Sequence, residues 1–154
     1  MKLFLDIDGV LVHGNPHRKV EQDEDGFYRF NPKSVDALQY LLKEYPIDEF
    51  ILSSSHRFRF DLDEWLKIFA RRGIFISKIS RIETLMEPKT SRYHEIYQWI
   101  QYHKLSLDEF IILDDDSSLN ALPSTIKKRL ILTRPYVGLM KEDIENYLSQ
   151  NQNR

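Results

Sequence analysis

The chain has 154 residues, 42% of them hydrophobic and 12% aromatic, with a formal net charge of −2. That length and composition fit one globular domain and exclude a disordered chain. The balanced charge gives no global pull toward nucleic acid or anionic membranes, and the lack of cysteine excludes disulfides, thiolate metal sites and a thiol nucleophile. No basic leader precedes an apolar stretch, and no apolar run approaches the ~20 residues of a bilayer span, so the expected location is the cytoplasm.

Near-continuous apolar residues over 2–7 predict a buried strand that delivers Asp6 and Asp8 before Gly9 breaks it. Alternate strand side chains share a face, so the two carboxylates point the same way unless the backbone turns between them. Carboxylates that close raise each other's pKa unless a cation neutralises them. A divalent metal combined with covalent chemistry is the simplest reason to keep both, although Asp-x-Asp-Gly is also ordinary turn chemistry.

Residues 13–30 are polar and acidic, with Gly14 and Gly26, and read as a long loop or small hairpin. A loop of that length is usually functional or mobile. Asn31 and Pro32 then open a helix whose Val35, Leu38, Leu41 and Leu42 form one apolar face. A second buried strand over 49–52 runs into Ser53, Ser54, Ser55, His56 and Arg57. Ligands bind at this carboxyl edge of open α/β sheets. Ser53 and Ser54 suit phosphate oxygens, and serines here serve equally well as caps for the next helix. Arg57 suits a substrate phosphate by its bidentate geometry, or an acid on the following helix.

Trp65, Ile68 and Phe69 predict a second helix ending near Gly73, a left-handed cap, with a short strand over 74–76 after it. Residues 77–88 read as irregular. Lys89 stands just before a helix over 91–104, where the dipole disfavours a cation, and an opposing carboxylate cluster with a bound phosphate would account for it. A strand over 110–113 ends in Asp114, Asp115 and Asp116, a cluster that is costly without a cation. The alternative for these acids is a solvated loop or a helix cap. Lys127, Lys128 and Arg129 read as a solvated face before a fifth strand over 130–132. A terminal helix over 143–148 is followed by a frayed tail over 149–154. The five histidines lack metal-ligand spacing, and Trp65 and Trp99 read as core.

Strands alternating with helices predict a three-layer α/β sandwich around a central parallel sheet, as a single domain over 1–148.

Asp6-x-Asp8-Gly9-Val10-Leu11, a serine after the second strand, Lys89 and the Asp114-Asp115 pair resemble, in order, the four motifs of the haloacid-dehalogenase-like (HAD) phosphohydrolases. More narrowly, Ser53 to Arg57, Leu113 to Asp116 and Val137-Gly138-Leu139 look like the HAD domain of bacterial RNA-repair multidomain proteins. In that group a tryptophan commonly precedes the arginine, where His56 stands here, and a threonine often follows the Gly-Leu, where this chain has Met140.

The resemblance implies a HAD-like Rossmannoid fold without a large cap domain. It implies Asp6 as a nucleophile forming an aspartyl-phosphate, and Asp8 as the acid for the leaving oxygen and then the base for water. Ser53 or Ser54 would bind the phosphoryl group and Lys89 would offset negative charge. Asp6, the Asp8 carbonyl, Asp114 and Asp115 would hold Mg²⁺, a cation that suits all-oxygen ligands. The expected function is a Mg²⁺-dependent phosphomonoesterase. Its expected substrate is phosphorylated, a polynucleotide end or a nucleotide being the classes considered, and no membrane is involved. The alternative is a non-catalytic HAD-fold binding or regulatory domain, against which stands a competent residue at every motif position. A dehalogenase would need neither Asp8 nor the metal cluster.

Overall fold

A computed structural model describes residues 1–83 and 91–151. Buried apolar runs form β1 (Lys2–Leu5), β2 (Glu49–Leu52), β4 (Phe110–Asp114) and β5 (Leu130–Leu132), and a mixed segment forms β3 (Lys78–Arg81). All pair in parallel in the order β3-β2-β1-β4-β5. The register sets Leu5 level with Leu52 on one side and Leu113 on the other. The next residue on each strand, Asp6, Ser53 and Asp114, therefore emerges at one height in the middle of the carboxyl edge. The ladder continues one step beyond β1, since the Asp6 and Ser53 amides donate to the Leu113 and Leu5 carbonyls at 3.1 Å each.

Alternation in β1 and β4 divides the core in two. Leu3, Leu5, Ile111 and Leu113 pack against α1 (Pro32–Glu44), α2 (Leu62–Arg71) and α5 (Lys141–Gln150). Phe4 and Ile112 point the other way, toward α3 (Arg92–Tyr102) and the short turns over 117–121 and α4 (Ser124–Lys127). Helix starts follow the local chemistry. Asn31 accepts the Lys33 amide at 3.0 Å with Pro32 in the first position, Asp61 accepts that of Glu64 at 2.7 Å, and Ser91 that of His94 at 3.3 Å. The result is the expected three-layer sandwich.

Three expectations fail for identifiable reasons. The third strand lies over 78–81, not 74–76. Gly73 closes α2 in the left-handed region, and the Ile74 amide bonds back to the Phe69 carbonyl at 2.9 Å, so Ile74 staples a helix end while Phe75 is exposed. β3 lies at one edge of the sheet and buries only Ile79 fully, with Lys78, Ser80 and Arg81 around it, so it shows no apolar run. Helix α5 continues through Gln150, taking in the first two residues of the expected tail. Arg129 is buried, with Nε donating to the Phe110 carbonyl at 3.0 Å, so it does not extend the basic surface of Lys127 and Lys128.

Residues 13–30 make one antiparallel bridge, Gln22 to Tyr28, and anchor it by burying Phe27 and Phe30 in the core beside α1 and α2. Among the described residues no helix is long and apolar enough to cross a membrane.

Candidate active site

Three carboxylates converge where the central strands end. One oxygen each from Asp6, Asp114 and Asp115 lies within 4.8 Å of the others, with Asp6 and Asp114 buried. Asp114 is held firmly. Its Oδ1 accepts the Asp115 and Asp116 amides at 2.8 and 3.1 Å, while Oδ2 accepts from Arg92 at 2.6 Å and from the buried Ser53 hydroxyl at 3.3 Å. The same Arg92 nitrogen lies 3.4 Å from Asp6 Oδ1.

The loop after β1 is shaped to admit the third acid. The Ile7 carbonyl accepts the amides of Val10, Leu11 and Val12, which folds the chain back directly after Asp6. Gly9 has φ +78°, and a Cβ there would overlap the Asp115 carboxylate and lie 2.9 Å from Asp115 Cβ. Glycine is thus required for both conformation and space. Two braces hold the loop from outside. The Thr133 hydroxyl donates to the Gly9 carbonyl at 2.7 Å, and the Leu139 amide to that of Val10 at 2.8 Å. Gly138, φ +86°, passes where a Cβ would stand 3.0 Å from that Val10 oxygen, which accounts for the Val137-Gly138-Leu139 motif.

Burial raises the Asp6 pKa well above the ordinary value, the Asp114 charge adds to this, and Arg92 opposes it. Asp115 is raised as well, first by burial; its hydrogen bond with Asp6 acts against the shift and the Asp114 charge acts with it. These carboxyls therefore hold a shared proton more tightly than solvated acids do. Burial by itself would lower the Arg92 pKa, but Asp114 and then Asp6 outweigh it and raise it. An all-oxygen cluster in which Asp6 and Asp115 have raised pKa values, beside a glycine that leaves room for its third member, fits a hard divalent cation held by Asp6, Asp114 and Asp115.

The other expected residues divide. Asp8 leaves the cluster because the backbone turns after Asp6: its carboxylate, 44% exposed, lies 2.8 Å from His56 Nε2. Of the serines, Ser53 joins the carboxylates, whereas the Ser54 hydroxyl accepts the His56 amide at 3.1 Å and caps that turn. Arg57 is not brought to the cluster. Its Nε donates to the Ile82 carbonyl at 2.7 Å, and its two terminal nitrogens to the Ser54 carbonyl and to Glu95, at 3.1 and 3.0 Å. It pairs with an acid on α3, not on the helix that follows it. Lys89 lies outside the described residues.

Arg92 is the residue that sequence reasoning passed over. The argument applied to Lys89, that a cation at a helix start needs opposing carboxylates, holds for Arg92, the first residue of α3 after its Ser91 cap. The signal was there in the position of the cap.

The family of HAD domains in Swiss Army Knife RNA repair proteins matches residues 2–144. No curated protein matches the chain by sequence. Among solved structures, a protein assigned as a 3-deoxy-D-manno-octulosonate 8-phosphate phosphatase from Vibrio cholerae is similar with a TM-score of 0.48 and 13% identity, over 99% of this chain and 86% of its own. The cobalt-bound deoxy-D-mannose-octulosonate 8-phosphate phosphatase from Haemophilus influenzae has a TM-score of 0.46 and 13% identity, over 98% and 88% respectively.

Proposed function

Because this chain belongs to the family of HAD domains found in Swiss Army Knife RNA repair proteins, we propose that it is a divalent-cation-dependent phosphomonoesterase that works through an aspartyl-phosphate on Asp6. The observation that carries this reading is Asp6 itself. It is a buried carboxylate at the central strand end, flanked by Asp114, Asp115 and the Arg92 guanidinium, with Asp8 two residues on.

In the first step an Asp6 oxygen bonds to phosphorus, the ester P–O bond breaks, and Asp8 gives its proton to the leaving oxygen. In the second, the ionised Asp8 takes a proton from water as the water oxygen bonds to phosphorus and the Asp6–phosphoryl bond breaks. The Ser53 hydroxyl, which donates to Asp114 beside Asp6, is the one we assign to the phosphoryl group, and Arg92 would offset the charge gathered on Asp6, Asp114 and phosphate. Lys89 keeps the charge-offsetting role that the resemblance implies. Mg²⁺, held by Asp6, Asp114 and Asp115, would neutralise phosphate charge and orient the ester when bound. The Asp8 carboxylate lies apart from that cluster, so any share of Asp8 in holding the cation would come through its backbone carbonyl.

The substrate is a phosphomonoester, and the family's occurrence in RNA repair proteins makes a nucleotide or a polynucleotide end the first class to try. Surface charge adds little, because Arg57 and Arg129, which the basic patches in the sequence included, are both buried. The test is hydrolysis with Mg²⁺ of an aryl phosphate, a sugar phosphate, a mononucleotide and end-phosphorylated RNA and DNA. Asp6→Asn should abolish turnover, and Asp8→Asn should slow it by roughly 10²–10⁴-fold. Turnover in Asp6→Asn would overturn the covalent mechanism. Higher kcat/KM on the sugar phosphate would overturn the nucleic-acid substrate and leave the hydrolase standing. No turnover of any ester would leave the binding-domain reading.

A further inference from the structure

The segment 13–30 is long for a loop in a compact domain, a length that reads as functional or mobile. In the fold it is clamped. Arg72, whose side chain is 3% exposed, donates to both oxygens of Asp25 at 2.6 and 2.8 Å and to the carbonyls of Tyr28 and Phe27 at 2.8 and 3.2 Å. Those bonds hold two aromatic rings in place. Phe27 and Tyr28 meet the His56 imidazole edge to face, with centroids 5.6 and 5.3 Å away and interplanar angles of 79° and 89°. The His56 amide is tied to the Ser54 hydroxyl. The imidazole that emerges from this packing places Nε2 2.8 Å from Asp8 Oδ2.

We propose that His56 is a positioning residue for Asp8, and that the 13–30 segment serves as the brace that holds its ring. This role rests on Asp8 being the acid and base of the hydrolysis described above. A carboxylate has a broad, roughly two-fold terminal torsion, and Asp8 is 44% exposed, so without a partner it samples many orientations. A bond from His56 to one oxygen selects one orientation and leaves the other oxygen to carry the proton to the leaving group and to take one from water.

The experiment compares His56→Phe, His56→Gln and His56→Asn on an aryl phosphate and on an alkyl phosphate with Mg²⁺. Phenylalanine keeps the ring packing and removes the donor. Glutamine returns an amide nitrogen at the reach of Nε2, while asparagine reaches only the position of Nδ1. His56→Phe and His56→Asn should lower kcat roughly 10- to 100-fold with KM nearly unchanged, as expected for a misplaced catalytic group. The loss should be greater on the alkyl ester, whose leaving oxygen depends more on a proton. His56→Gln should recover kcat to within about fivefold of wild type, because the hydrogen bond to Asp8 is restored. If His56→Phe does not fold, His56→Asn carries the same test. Wild-type kcat in the donor-less variants, a change in KM alone, or glutamine as slow as phenylalanine would overturn the positioning role while the hydrolase stands. A wild-type protein inactive on every ester would overturn the hydrolase and this role with it.

Discussion

Arg92 is the internal counter-ion of the carboxylate cluster, and Arg92→Met tests this most directly. The guanidinium is 15% exposed and lies 2.6 Å from Asp114 and 3.4 Å from Asp6, both almost wholly buried. Removing one partner of a buried ion pair costs about 3–5 kcal/mol, because a desolvated charge is left uncompensated. In a domain of this size each 1 kcal/mol moves the melting temperature by about 2–4 °C, so the variant should melt roughly 6–20 °C lower at about pH 8 in chelator. The sign of the pH dependence follows from Asp6, whose pKa is raised by burial and by Asp114. A carboxyl raised in the folded state stabilises most below its unfolded pKa, and that contribution is lost as pH rises through the folded value. Without Arg92 the Asp6 pKa rises further, so the loss should be smaller at about pH 5 than at about pH 8. Mg²⁺ should also restore much of the stability at the higher pH, since a cation at the cluster replaces the missing charge. Thermal melts followed by circular dichroism, at both pH values with and without Mg²⁺, measure all of this. An equal drop under every condition would refute the electrostatic reasoning and reduce Arg92 to a packing residue.

Gly9→Ala should cost about 1–2 kcal/mol for its left-handed backbone and should also push Asp115 out of the cluster, because the new methyl group overlaps that carboxylate. Calorimetric titration should then show Mg²⁺ affinity at least tenfold weaker, and unchanged affinity would count against Asp115 as a ligand. Arg57→Met should destabilise by about 3–5 kcal/mol through the stranded Glu95, with KM for an aryl phosphate within about twofold of wild type. A tenfold rise in KM would return Arg57 to the phosphate site.

The sheet was legible because buried parallel strands need continuous apolar residues, and β1, β2, β4 and β5 all supply them within a residue or two of their observed bounds. β3 was not, because it is built from Lys78, Ile79, Ser80 and Arg81 and buries only Ile79 fully, which leaves no apolar run to find. Asp6 and Asp114-Asp115 were legible for the same reason as the strands that carry them, since acids placed directly after buried runs stand out.

Which cation faces those acids, and which serine, depends on contacts between segments far apart in the chain. A cation at a helix start does not reveal its direction in the sequence, and the packing of α3 on the sheet aims Arg92 between Asp6 and Asp114. Ser53 and Ser54 are chemically identical, but the parallel register of β2 with β1 sets Ser53 level with Asp6 and leaves Ser54 to cap a turn. The divergence of Asp8 from Asp6 follows from the turn on the Ile7 carbonyl, which the braces from Thr133 and Leu139 hold in place. Local composition determined the strands and the acids at their ends, because burial and charge leave marks in single segments. The partners of those acids were decided by tertiary structure, because a side chain's direction is set by whatever packs against it.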